Sequence, residues 1–171
     1  MNVWTVGHGT RPVEALIAML ERAGVQTLVD VRRYPGSRRN PQYNRGALEA
    51  ALARAGIAYR HLEALGGRLR GEPGEERFAC IRHPAFRSYA ARMGTPEWQE
   101  ALGAALAEAE PCLMCAETPW TKCHRRFIAE LLVARGHQVR HLSPQGIEPH
   151  RLSDEAEARD GRLYLCGELV A

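Results

Sequence analysis

The sequence predicts a single-domain, three-layer α/β fold with a mainly parallel sheet flanked by helices. Three observations carry that expectation. Short apolar runs alternate with amphipathic stretches of ten or more residues, the spacing that parallel strands need for their crossovers. Of the 171 residues, 45% are hydrophobic and 25% charged, as in an ordinary globular protein. No repeat, low-complexity segment or composition break divides the chain.

Residues 3–7 read as a first strand that closes on the tight turn Gly7-His8-Gly9-Thr10. Pro12 suits the first position of a helix whose stripe is Leu16, Ile17 and Leu20, ending at Gly24. Residues 26–31 (QTLVDV) form a second strand with Asp30 near its C-terminal end, and a loop rich in Arg, Pro and Asn runs over residues 32–44. Leu48, Ala51 and Leu52 mark a helix closed by Gly56, and residues 57–62 a third strand. Over residues 63–83 Gly, Arg and Glu replace any pattern, the composition of a functional flap or of a poorly ordered segment. Helices are expected over residues 84–93 and 95–109, the second opening with Thr95 as N-cap. Residues 112–116 (CLMCA) are a fourth, fully apolar strand; a helix over 123–135 and a strand over 138–142 follow. The tail holds a charged, helix-like stretch over 153–159 and a last apolar run over 163–166.

Five cysteines (Cys80, Cys112, Cys115, Cys123 and Cys166) stand in a chain whose start carries no basic or small-residue leader signature. With an odd count and no export signal, the expectation is a cytoplasmic protein without a disulfide framework. No apolar stretch approaches the ~20 residues of a membrane helix, so no membrane partner is expected. The net charge of +3 is small, but Arg32, Arg33, Arg38, Arg39 and Arg45 crowd one segment, and Lys122, Arg125 and Arg126 another. Both clusters suit an anionic partner or a solvated basic loop.

In a parallel sheet, ligands sit beyond the C-terminal strand ends. Those ends carry His8, Asp30 with Arg32, His61, Glu117 and His141. Glu117 and Asp30 are candidate acid and base, or ion-pair partners of nearby arginines. If Thr121 caps the next helix, Cys123, His124 and Arg125 fall in its first turn, where the dipole and Lys122 would lower the Cys123 thiol pKa. Buried packing is the competing role for Cys123. A zinc set of Cys115, Cys123, His124 and His8 is conceivable from residue types. The Cys-Ala-Glu of a zinc deaminase, however, needs a Pro-Cys-x-x-Cys pair that this chain lacks. No cofactor is therefore expected, with zinc the minor alternative. The loop with Ser37, Arg38, Tyr43 and Asn44 reads as a phosphate-binding element, and Tyr34, Tyr43 and Trp120 as stacking surfaces or packing.

Thr5-Val6-Gly7-His8, Asp30-Val31-Arg32 with Pro35 and Ser37, Asn44, Leu65-Gly66-Gly67, and Cys115-Ala116-Glu117 with Cys123-His124-Arg125 together resemble the bacterial domain of unknown function 488 family. The resemblance spans about residues 2–142, leaving 143–171 as a C-terminal extension. Thr10 or Gly9 stands where the family often has Ser. The resemblance implies that Gly7, His8, Asp30, Arg32, Pro35, Ser37, Gly66, Gly67, Cys115, Glu117, Cys123, His124 and Arg125 share one site, without assigning it an activity. The leading expectation is an enzyme of hydrolase or transferase type acting on a phosphate-bearing small molecule or nucleic acid. In it, Arg32, Arg38 and Arg125 hold phosphate while Glu117 and Asp30 act at a glycosidic or phosphoester bond. Thiol chemistry at Cys123 and a non-catalytic binding module are the alternatives. Oligomeric state and substrate identity are left open.

Overall fold

The computed structural model describes all 171 residues. The elements in order are β1 (Asn2–Gly7), α1 (Val13–Ala23), β2 (Thr27–Asp30), α2 (Arg45–Arg54), β3 (Ala58–His61), α3 (Pro84–Met93), α4 (Pro96–Leu106), β4 (Pro111–Cys115), α5 (Arg125–Ala134), β5 (Gln138–Ser143) and β6 (Gly146–Pro149). Three short strands follow: β7 (Ala156–Arg159), β8 (Arg162–Leu165) and β9 (Glu168–Leu169). The main sheet runs β3-β2-β4-β1-β5-β6, parallel except for the β5–β6 pair.

Because side chains alternate along a strand, each central strand feeds both faces. Leu28, Cys112 and Met114 face one side, where they meet Leu16 and Leu20 of α1 and Leu48 and Leu52 of α2. Val29, Leu113 and Cys115 face the other, against α3, α4 and α5 through Tyr89, Trp98, Phe127 and Leu131. The helix that follows β1 thus lies on one face and the helix that follows β4 on the other, although β1 and β4 are neighbours. Exit loops that part in this way open a crevice at the strand ends, the topological switch point of a parallel sheet.

Helix boundaries follow local chemistry. Thr95 caps α4, its Oγ1 accepting from the Trp98 N–H, and Gly24 closes α1 in the left-handed conformation. Thr121 does not cap α5. Residues Trp120–Lys122 make a 3₁₀ turn, Cys123 is extended, and the Arg125 N–H points at the Cys123 sulfur, 3.5 Å away. Cys123 therefore precedes the helix rather than sitting in its first turn.

Two further expectations are corrected. The 153–159 stretch is not helical: β7 pairs antiparallel with β8 around Asp160-Gly161, both at positive φ, the geometry of a two-residue hairpin turn. The Asp-Gly pair outweighs the charge pattern because that turn fits the twist of an antiparallel pair. Second, Cys80 and Cys166 form a disulfide, 86 residues apart in sequence, with Cα atoms 5.7 Å apart. Leu163, Leu165 and Val170 bury against the α5 side of the core, which carries the tail back to Cys80.

The 63–83 segment is a packed wall rather than a loose flap. Leu65, Leu69, Phe78 and Ile81 are buried, the Tyr89 hydroxyl donates to the Leu65 carbonyl at 2.8 Å, and Arg92 pairs with Glu72 at 2.8 Å. No helix is long and apolar enough to cross a membrane.

Candidate functional site

The switch-point crevice is a cleft of about 910 Å³. Its floor is the joint between the two exit loops. The His8 N–H donates to the Cys115 carbonyl at 2.9 Å and the Gly9 N–H to the Ala116 carbonyl at 3.0 Å, extending the β1–β4 ladder past the sheet. A side chain at Gly7 would put Cβ 1.8 Å from the Glu117 carbonyl oxygen, so only glycine lets the loops meet. Gly66 and Gly67 serve the same end: a Cβ there would strike Arg33 Cα at 2.7 Å and His124 Nδ1 at 2.8 Å. The Leu-Gly-Gly motif lets the 63–83 wall approach both the β2 exit and the α5 entrance.

Asp30 is fully buried and fully used. Its Oδ1 accepts from Arg32 Nε (2.9 Å) and the Arg32 N–H (3.1 Å); its Oδ2 accepts from Arg32 Nη2 (2.6 Å) and the Tyr59 hydroxyl (2.7 Å). Asp30 does not line the cleft, and its role is to aim Arg32. Burial opposes the Arg32 charge, but the Asp30 hydrogen bonds and charge outweigh it and raise the Arg32 pKa. The guanidinium edge not held by Asp30 faces the cleft, where Nη1 lies 3.4 Å from His8 Nε2.

The His8 ring stacks on Tyr43 with centroids 4.2 Å apart, and its Nδ1–H donates to the Gly9 carbonyl at 2.7 Å. Burial, reinforced by Arg32, lowers the His8 pKa to about 4, so at neutral pH the ring is uncharged and its Nε2 lone pair faces the Arg32 Nη1–H, 3.4 Å away. His124 is likewise neutral, lowered to about 4 chiefly by burial; its Nε2–H donates to the Val31 carbonyl at 3.0 Å and leaves Nδ1 as an acceptor. The thiol expectation is reversed in part. Burial and the neighbouring Cys115 push the Cys123 thiol up. Burial also opposes ionisation of Cys115, but the Cys123 S–H, the Arg125 charge and the Glu117 backbone outweigh it and hold the Cys115 thiol below its ordinary range.

Arg125, expected to grip phosphate, is instead buried behind the loop. Its Nη2 donates to the carbonyls of Glu117 (3.0 Å) and Thr118 (2.7 Å), and its Nη1 lies 3.4 Å from Thr5 Oγ1. Tyr43 is core, its hydroxyl donating to the Arg11 carbonyl at 2.7 Å, and Trp120 stacks on His141 outside the cleft. Asn44 braces the basic loop by accepting the Ser37 N–H at 2.6 Å, and Ser37 accepts the Asn40 N–H at 3.0 Å. Ser37 lines the cleft; Arg38 does not, and its neighbour Arg39 does.

Glu117 lines the cleft with no ion pair or side-chain hydrogen bond in the protein. Around it stand Arg32, Arg33, Arg39, Arg68 and Lys122, so the lining holds five permanent cations and one carboxylate. Arg33, Arg39, Arg68 and Lys122 were not singled out as site residues. The adjacency of Arg32-Arg33 and Arg38-Arg39 was the available signal, but not which member faces inward. Tyr34, 60% exposed, offers its ring at the mouth with the Arg33 guanidinium 5.7 Å from the centroid. The N-terminus of α3, through His83, Ala85 and Phe86, also borders the space and adds a positive dipole end. No three His, Cys, Asp or Glu side chains are grouped so as to hold a metal ion, so His8, Cys115, Cys123 and His124 do not assemble the tetrahedral set considered above.

Among protein families, the one described as Domain of unknown function DUF488 matches residues 12–132 of the chain. The matched span takes in Asp30, Arg32, Ser37, Gly67, Glu117 and Cys123 and leaves His8 outside it. No curated protein and no solved structure matches the chain.

Proposed function

We propose that this chain, which belongs to the DUF488 family, is an enzyme that binds a phosphate-bearing substrate, a nucleotide or nucleic acid, in the switch-point cleft. The observation that carries the reading is the lining: five cations converge around one unpaired carboxylate. Guanidinium forks match phosphate geometry in two-point contacts, and Arg32 is held in place to do so by Asp30. Tyr34 with Arg33 at the mouth supports stacking of a base. Glu117 is the group placed to take a proton from an attacking water, while the arginines offset charge that develops on the phosphate. His8, neutral, accepts from Arg32 through its Nε2 and helps to hold that guanidinium in the cleft.

The test is binding of single-stranded and double-stranded oligonucleotides and nucleoside phosphates across a salt series. Affinity should fall linearly on a log–log plot, and Arg39→Gln should weaken binding to all sequences and reduce the slope by about one contact. Glu117→Gln should keep affinity and lose turnover. Absence of any salt-dependent binding would overturn the reading. Undiminished binding with no turnover in either protein would remove the catalytic half and leave a binding module.

A further inference from the structure

Beneath the cationic rim lies a second chemical feature that phosphate binding does not use. Cys115 ends β4, and the chain leaves, turns through seven residues and returns with Cys123 two residues before α5. Both residues line the floor of the cleft while only 2% and 4% exposed. The loop between them is pinned by Arg125, which holds the Glu117 and Thr118 carbonyls. Cys112, three residues earlier on β4 and so on the opposite face, points to the α1 side and does not reach the cleft. The remaining two, Cys80 within the 63–83 wall and Cys166, are joined to each other and do not line the cleft.

The surroundings of the two sulfurs differ in ways that assign them different work. The Cys123 Sγ lies 3.6 Å from His124 Nδ1, the ring atom left without a proton because Nε2–H is committed to the Val31 carbonyl. It also accepts the Arg125 N–H at 3.5 Å. The Cys115 S–H points at the Glu117 carbonyl, 3.5 Å away; burial opposes its ionisation, but the Cys123 S–H beside it and the Arg125 charge behind it outweigh burial and favour its thiolate.

We propose that Cys115 and Cys123 form a redox-active dithiol in the cleft floor that reduces a small hydroperoxide and closes to an intramolecular disulfide. The Cys115 thiolate attacks one peroxide oxygen; the O–O bond breaks, Cys115 becomes a sulfenic acid, and the departing hydroxide or alkoxide takes up, through water, the proton that Cys115 lost on ionising and leaves as water or alcohol. The Cys123 thiol, oriented by its contact with His124 Nδ1, attacks the Cys115 sulfur and gives its proton to the sulfenic hydroxyl, which leaves as water. Two thiols and one peroxide thus give one disulfide, one water and one water or alcohol. A dithiol reductant, oxidised in turn, restores the pair. The narrow exposure of both sulfurs selects a small oxidant over a bulky disulfide such as oxidised glutathione.

The experiment uses the wild-type chain with its Cys80–Cys166 disulfide intact. Hydrogen peroxide should lower the free-thiol count from the three of the untreated chain to Cys112 alone. Peptide mapping should then join Cys115 to Cys123, and a dithiol reductant should reverse the change. In Cys123→Ser a sulfenic acid should accumulate on Cys115 and be trapped by dimedone, whereas Cys115→Ser should give no trapped product on Cys123. In the untreated wild type, alkylation of Cys115 should outpace that of Cys112 by at least ~10-fold, with a midpoint below the ~8.5 of a free thiol. Three thiols surviving peroxide, oxidation without a Cys115–Cys123 link, or Cys115 no faster than Cys112 would each overturn the proposal. None of these readouts involves phosphate binding, so failure here leaves the proposed function standing.

Discussion

Asp30 separates a positioning role from a chemical one. Its carboxylate receives four hydrogen bonds, three of them from Arg32, and both partners are sealed from solvent, with Arg32 only 6% exposed. Asp30→Asn keeps the shape but removes the charge and turns an NH₂ toward at least one donor. Arg32 is then a buried cation without a counter-ion, a situation that costs about 3–5 kcal/mol. That is a large share of the 5–15 kcal/mol typical of a whole domain. Tyr59→Phe, which removes one hydrogen bond to the same carboxylate, should cost about 1.5–3 kcal/mol. The assay is urea denaturation, with the midpoint shifting at constant slope. The double variant Asp30→Asn/Arg32→Met should recover much of the loss, because it removes the unpaired charge along with its partner. An Asp30→Asn protein within about 1 kcal/mol of wild type, with no coupling to Arg32, would refute the positioning role. Asp30 would then be free to serve as the acid or base expected from its strand-end location.

Stability should fall as the pH is lowered through the histidine range. His8, His124 and His150 are lowered to about 4 and His141 to about 3, each chiefly by burial. The unfolded chain, titrating near 6.5, therefore binds more protons between pH ~6.5 and ~4. The stability these neutral histidines represent is full above pH ~6.5 and is lost on acidification toward the folded values. A flat denaturation midpoint between pH ~7 and ~5 would contradict it. Reduction of Cys80–Cys166, or Cys80→Ser, should lower stability by roughly 4.5 kcal/mol, the chain-entropy value for a loop of 86 residues, seen as a difference between denaturation with and without reductant. Gly7→Ala should cost about 3 kcal/mol or more, because the new Cβ meets the Glu117 carbonyl at 1.8 Å. Gly103→Ala, inside α4 with open space around it, should gain about 1 kcal/mol in the same assay.

Much of the fold was legible because it rests on local chemistry. The apolar runs QTLVDV and CLMCA, the crossover-length helices and their glycine stops depend on periodicity and backbone freedom, which neighbours in sequence determine. The C-terminal hairpin was legible too, in Asp160-Gly161, but the surrounding charges mimicked a helix face. At the site, the strand-end rule brought His8, Arg32 and Glu117 to one cleft, while His61 and His141, which it also named, do not line it. It could not say that Asp30 and Arg125 point away from it, or that Arg39 rather than Arg38 points in.

The sequence alone therefore determined the layers, most element boundaries and the sheet edge at which functional groups gather, since these follow from repeat spacing and turn residues. Only the tertiary structure decided which charges are free. Asp30 is consumed by Arg32, Arg125 by two loop carbonyls, and Cys80 by Cys166 across 86 residues, while Glu117 is left without a partner. A side chain's availability depends on what packs against it from distant segments, and chain-closing contacts of that length carry no local signature.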